Sequence, residues 1–293
     1  MTMVRTVLDT APAMPALFAR AALTARGRSG ELPDTQLARE GVTVDPVQLA
    51  GYAEVCTFPL ADTLPVTYPH VLTFPLQVAL MTDRSFPLAL PGLVHVRNVI
   101  EQLRPIGVGE ALDLDVWAER FATHRTGATV DLCASVSAGG AEVWRARSTY
   151  LARGATAPAG APVADVDVPV GEVERMAAQW RVLDDAGRRY AKVSGDVNPI
   201  HLSGLTAKAF GFKRAIAHGM WVEARAVAAL SGRLPDAMTV DAAFRKPLFL
   251  PSTVTLSTAE VPPGGWDVAV REDRGDHLVG TVRPLESQHD QVT

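Results

Sequence analysis

The chain has 293 residues, 47% of them hydrophobic and 20% charged, enough to bury one large core or two ordinary ones and incompatible with a disordered chain. Its 28 Lys and Arg stand against 32 Asp and Glu, a net charge of −4, which supplies no overall drive toward nucleic acid or an anionic membrane surface. Two cysteines, Cys56 and Cys133, make neither a disulfide framework nor a paired ligand motif, and no apolar run approaches the roughly 20 residues needed to span a bilayer. A soluble, cytoplasmic protein is expected, with neither nucleic acid nor membrane as partner.

In chain order, residues 1–46 read as an N-terminal extension; Arg5, Asp9, Pro12, Pro15 and Arg20 interrupt its start, so it holds no signal-peptide core. A first unit follows over 47–151. Its HVLTFPLQVALMT, His70 to Thr82, reads as an apolar helix with Pro75 near the first turn or at a kink. LDLDVW places Leu112, Leu114 and Val116 on one face, and ATVDLCASV does the same with Val130, Leu132, Ala134 and Val136, the period-two pattern of half-buried strands. Residues 152–165, ARGATAPAGAPVAD, have the small-residue and proline composition of a linker. A second unit over 166–289 repeats the order: a nearly all-apolar helix, Ile216 to Gly232, then strands around Val254 and Leu256, Val268 and Val270, and Val279. The expected class is α+β, with two antiparallel sheets, each wrapped around a central helix, joined side by side.

The two units overlay. YAEVCTF at Tyr52 matches YAKVSGD at Tyr190, His70 matches His218, and QLRPIGVGEALDL at Gln102 matches AFRKPLFLPSTVTL at Ala243. Asp196 then faces Phe58, Asn198 faces Leu60, His201 faces Thr63 and Gly219 faces Val71, so polar residues crowd the second copy alone.

Those residues carry the chemistry. In SGDVNPIH, Ser194 to His201, Asp196 and His201 flank a proline turn and can aim at one small volume, an acid–base arrangement. The same residues also read as a plain turn, with His201 capping the next helix, although a chance D-x-N-P-x-H in such a chain is of order 1 in 500. Gly219 opens the second helix, where its amide would face an anion, or it serves only close packing. His218 reads as structural. Lys213, Arg214, Arg245 and Lys246 could meet phosphates or lie solvated on the surface, and His95, His124, His277 and His289 read as ordinary surface or strand positions. No G-x-S-x-G, phosphate-loop lysine motif or metal-spaced histidine pair occurs.

YAxxSGDxNPxH, GF, IAHGM and FRKPLFLP, between Arg189 and Pro251, together resemble the MaoC-like family of (R)-specific enoyl-thioester hydratases and 3-hydroxyacyl-thioester dehydratases. LPVTYPHVLTFPLQVALMT and IEQLRPIGVGEAL resemble, more weakly, the degenerate partner domain of its double hot-dog members, including actinobacterial ones. The resemblance implies a double hot-dog fold with an acyl-binding first unit. It makes Asp196 and His201 the catalytic pair, Asn198 their orienting residue and the Gly219 amide a donor to the thioester oxygen. Ser194, Phe212, Met220, Lys213, Arg214, Arg245 and Lys246 are the candidate substrate contacts. The implied substrate is an acyl thioester of coenzyme A or acyl carrier protein, no metal or redox cofactor is required, and association of such chains would give a homodimer. A hot-dog thioesterase and a noncatalytic acyl-binding subunit are the competing readings.

Overall fold

A computed structural model describes residues 3–28 and 30–285; His289 and the expected end of the second unit lie outside the described residues. In chain order the elements are β1 (Val4–Val7), α1 (Met14–Leu23), β2 (Thr35–Val42), α2 (Pro46–Cys56), α3 (Tyr68–Thr82), β3 (Leu93–Gln102), β4 (Leu112–His124), β5 (Gly127–Ala138) and β6 (Ala141–Arg153). The second half continues with β7 (Met176–Val182), α4 (Ala186–Ser194), α5 (Pro199–Leu202), α6 (Gly204–Ala209), α7 (Gly219–Ala228), β8 (Met238–Phe244), β9 (Ser252–Val261), β10 (Gly265–Glu272) and β11 (Gly275–Pro284).

The two expected sheets merge into one. Eleven strands run β1-β2-β4-β5-β6-β3-β8-β11-β10-β9-β7, antiparallel throughout except for the parallel β1–β2 pair. The halves meet at β3 and β8, where Arg97 pairs with Ala243 and Gln102 with Met238. Each half leaves a strand edge unpaired by itself, and joining the two edges removes both. Across this seam Arg97 donates to both carboxylate oxygens of Asp241, at 2.9 and 2.7 Å. Alternation sorts the strands' two faces: Ala242 belongs to the main core beneath α3 and α7, whereas Ala243 packs on the opposite face with Val168, Val173, Ala269 and Val279.

The overlay of the units holds at the start of each. β2 precedes α2 as β7 precedes α4, and both helices end on a left-handed residue, Thr57 at φ 64° and Gly195 at φ 75°. The boundary at 47 therefore needs correction, because β2 pairs with β4 on one side and with the edge strand β1 on the other, so both belong to the sheet of the first half. The rest of the supposed extension is also built in: α1 packs on α3, burying Met14, Leu17 and Ala21. Nor is 152–165 a free tether; β6 runs on to Arg153, and Thr123 bonds to Pro162 and Ala164 along the edge of β4.

The overlay fails at the central helices. α3 starts at Tyr68, two residues before His70, whereas α7 starts one residue after His218. Thr67 and His218 are thus the matching pre-helical residues, and each touches the tyrosine of the preceding helix: Thr67 is hydrogen-bonded to Tyr52 at 2.8 Å, and the His218 ring lies 4.9 Å from that of Tyr190. Val71 sits inside the first turn of α3 and is no counterpart of Gly219. Pro75 lies in the helix interior, and Ile216 precedes α7, paired with Phe249.

Candidate active site

The Ser194–His201 segment is shaped by local capping. α4 ends at Gly195, whose positive φ turns the chain sharply. The buried Ser194 hydroxyl donates to the Tyr190 carbonyl at 2.9 Å and accepts from the Asp196 amide at 3.2 Å. Asp196 Oδ1 accepts from the Asn198 amide at 3.2 Å, and Asn198 Oδ1 from that of Ile200 at 3.4 Å, capping α5 behind Pro199. Asn198 therefore caps α5 and Ser203 caps α6, so His201 caps neither helix. Ser194 and Asn198 hold the backbone on either side of Asp196, which leaves its side chain half-buried in a cavity.

His201 is 8% exposed, and its Nδ1–H donates to the Ile216 carbonyl at 2.8 Å. The lone pair of the neutral ring is consequently on Nε2. Burial pushes the imidazole down to about 3, with His218 adding to the effect. His218 stacks on it with centroids 3.7 Å apart and donates from Nε2 to the Asp196 carbonyl at 3.0 Å. Burial holds His218 near 3 as well, and raises the Asp196 carboxyl above the ordinary aspartate value. Desolvation thus favours the neutral form of every group in the cluster. His218, read as structural, fills that role by tying Asp196 to the start of α7.

Gly219 and Met220 line the same cavity. No side chain caps α7, and the first backbone bond of that end is Val222 N–H to the His218 carbonyl at 3.2 Å. The amides of the first turn are therefore free to meet developing negative charge. Gly219 also serves packing, since a Cβ there would lie 3.0 Å from the Phe244 ring.

The cavity measures about 960 Å³ and extends from this cluster to Val71, Phe74 and Met81 of α3 and to Leu90 and Leu93, with Phe18 of α1 at its wall. Phe212, Arg245 and Lys246 line it; the exposed Lys213 and Arg214 do not. Arg245 pairs with Asp167, Lys246 donates to the Arg274 carbonyl, and Arg214 lies over the Phe249 ring at 5.5 Å.

Five contributors lie outside the sequence reading. Tyr150 of β6 lines the cavity, and its hydroxyl makes no hydrogen bond among the described residues; burial, reinforced by the Asp196 charge, holds the phenol well above its usual value, so it remains an O–H donor. His95, expected as an ordinary strand position, lines the cavity with its ring 4.6 Å from Tyr150 and 4.8 Å from Phe244. His124 and His277 line it too. Gly187 lets α4 approach α5 so closely that a Cβ would overlap the His201 carbonyl. Nothing in the local sequence shows which partners these residues meet.

Asp196, His201 and His218 offer ligand atoms within 4.8 Å of one another, the spacing of a cation site. One nitrogen of each ring is already an N–H donor to a carbonyl, so ligation would fall to His201 Nε2, His218 Nδ1 and the carboxylate.

Comparison with known proteins places this geometry. Residues 164–274 match the MaoC like domain. A 3-hydroxyacyl-thioester dehydratase X of Mycobacterium tuberculosis is 39% identical over 272 residues, covering 91% of this chain and 95% of the relative. The chain belongs to the MaoC-like dehydratase family. The crystal structure of HtdX from Mycobacterium tuberculosis is similar to this MaoC-like chain at TM-score 0.75 and 38% identity, covering 85% of this chain and 100% of that one. A MaoC-like dehydratase from Phytophthora capsici shares the fold at TM-score 0.68 and 17% identity, over 89% and 97% of the two chains. The double hot-dog architecture expected from the motifs is thus that of MaoC-like proteins.

Proposed function

We propose that this chain catalyses the reversible dehydration of (3R)-hydroxyacyl thioesters to trans-2-enoyl thioesters, with one working site, in the second half. The observation that carries this reading is a neutral His201 Nε2 and a pKa-raised Asp196 carboxyl facing one cavity, opposite an uncapped helix N-terminus and continuous with an apolar channel.

Dehydration removes a weakly acidic C2 proton and expels hydroxide, so one group takes a proton while another gives one. His201, with its Nε2 lone pair and Nδ1–H anchored on Ile216, is the acceptor. Asp196, raised by burial, is the donor that lets the 3-hydroxyl leave as water. With Asp196 in its protonated form, which burial favours, the transfer converts a neutral pair into an imidazolium–carboxylate pair, and the site neither gains nor loses net charge. Charge that gathers on the thioester oxygen meets the Gly219 amide, a donor of the kind that contributes ~3 kcal/mol. Asn198 orients the loop, and Ser194 supports Asp196. The acyl chain runs under α3, past Val71, Phe74 and Met81, with Phe212 and Met220 nearer the reacting carbons. In hydration the same two side chains hold the water that adds across the double bond.

Spectrophotometric turnover of crotonyl, octenoyl and dodecenoyl thioesters, with product chirality determined, tests this. Loss of the enoyl absorbance with a (3R)-hydroxyacyl product supports it. A (3S) product, or release of free thiol without hydration, overturns it, the latter in favour of a thioesterase.

A further inference from the structure

The first half sends one polar side chain into the reacting volume, and an irregularity in its sheet aims it there. β3 pairs with β6 through His95 and Tyr150, Arg97 and Thr149, and Asn98 and Ser148, so Val96 is one residue too many, a β-bulge opposite Tyr150. Its effect is a change of face. Asn98 and Ser148 point toward α7, where Asn98 meets Glu223, whereas Arg97 points away, to Asp241 and Asp165. Without the extra residue, His95 would share the outer face with Arg97, two places on, and Val96 would oppose Tyr150. With it, His95 lies on the cavity side, its ring 4.6 Å from that of Tyr150 at an interplanar angle of 19°. Phe244 and His70 pack around His95 in turn, with centroids at 4.8 and 6.2 Å. The Tyr150 ring is thereby held in place.

The phenol oxygen has no such hold. Tyr150 is 7% exposed, and its hydroxyl makes no hydrogen bond among the described residues, yet it is not sealed in the core as the Tyr68 hydroxyl is. It opens into the cavity. An unpartnered buried hydroxyl costs about 1–3 kcal/mol, and a phenylalanine would make the same stack, so the hydroxyl answers to a partner that enters the cavity. Asp196 is the charged group that acts on it, which sets the phenol beside the carboxyl that serves the substrate's 3-hydroxyl.

We infer that Tyr150 is a catalytic residue whose hydroxyl donates a hydrogen bond to the 3-oxygen of the substrate, the oxygen that leaves in dehydration and belongs to the attacking water in hydration. The inference rests on the thioester-dehydratase reading and adds to it a donor from the half that otherwise carries the acyl chain. An alcohol oxygen has two lone pairs; Asp196 meets one and Tyr150 the other. In dehydration the C2 proton passes to His201, the C2–H electron pair becomes the double bond, and the C3–O pair stays on oxygen, which takes the Asp196 proton and departs as water. Tyr150 keeps its own proton throughout. It stabilises the departing oxygen while negative charge builds there, as a fixed donor does at any developing oxyanion.

The test compares the wild-type chain with Tyr150→Phe, which retains the ring and its stack, on (3R)-3-hydroxybutanoyl, crotonyl and butanoyl coenzyme A. The expected result is a loss of kcat of at least about tenfold in both directions. The inhibition constant of butanoyl coenzyme A, which has no 3-oxygen, should stay the same, and so should Tm. An unchanged kcat overturns the inference. So does an equal weakening of butanoyl coenzyme A binding, which would put the hydroxyl on another part of the substrate, or a variant that melts lower or does not fold, which would show that the hydroxyl serves the protein. A wild-type chain that turns over neither reactive substrate would refute the dehydratase reading instead. Equilibrium binding then decides: Tyr150→Phe should weaken (3R)-3-hydroxybutanoyl coenzyme A and leave butanoyl coenzyme A unchanged, and equal binding of the hydroxy thioester to both proteins overturns the inference.

Discussion

His201 and His218 lie face to face with ring centroids 3.7 Å apart, each donating one N–H to a backbone carbonyl, of Ile216 and Asp196 respectively. The stack joins the Ser194–His201 segment to the start of α7. It also keeps a second imidazole beside the first, which disfavours a proton on either and holds His201 as an acceptor.

Asp196→Asn and His201→Ala should each lower enoyl-thioester hydration by roughly 10²- to 10⁴-fold, the range for a positioned acid or base. Asp196 lies in the loop between α4 and α5 and His201 on the short α5, both lining the cavity, so each variant should still fold, which thermal unfolding checks. Near-wild-type rates in a folded variant would remove that residue from the proton transfers.

Gly219→Val places a branched side chain against Phe244, where even a Cβ stands at 3.0 Å. It also screens the free amides of the first turn of α7. Loss of one oxyanion donor corresponds to about 10²- to 10³-fold in kcat, and activity per folded molecule should fall by that order. A variant that loses stability but keeps full kcat would leave Gly219 a packing residue only.

At Gly187 the constraint is backbone against backbone, because an added Cβ meets the His201 carbonyl, not a movable side chain. Gly187→Ala should cost about 1–3 kcal/mol, as overpacking does. It should also lower kcat at least tenfold by displacing His201 from Ile216. Calorimetry and kinetics on the same preparation separate the two effects, and an unchanged kcat would deny Gly187 any part in placing His201.

Glu223 lies fully buried on α7 and accepts from the Asn98 amide at 3.0 Å, while Ser148 donates to Asn98 at 2.9 Å. Burial raises its carboxyl from 4.5 to about 8. The folded chain therefore holds a proton that the unfolded chain has already released between those values. Stability from this group is intact below pH 4.5 and declines as pH rises toward 8, by at most ~1.4 kcal/mol per pH unit. Glu223→Gln keeps an acceptor for Asn98 and removes the titration. Its Tm relative to wild type should climb from pH 5 to pH 8; parallel curves would show that Glu223 does not hold that proton.

Much of this could be read along the chain because its causes are local. Alternation at Leu112, Leu114 and Val116 follows from the one buried face of β4, and Val130, Leu132, Ala134 and Val136 are fully buried as their pattern implies, although β5 also buries Thr129, Asp131 and Cys133 on its other face. The Ser194–His201 segment is equally legible: Gly195 supplies a positive φ, Asp196 and Asn198 bond to amides two residues on, and Pro199 opens α5. Such interactions span a few residues, so spacing alone reveals them. Matching His70 to His218 misaligns the starts of α3 and α7, because the helix frame follows Thr67 and His218. TQLAREGV of β2 alternates poorly, and its place comes from pairing with β4, as in Leu37 with Val116. Tyr150 and His95 enter the site only because β3 joins β8 across the seam and brings the first half's strands up to Phe244. That pairing is driven by two sheet edges satisfying each other's backbone groups, an interaction common to all residues and therefore silent in side-chain pattern.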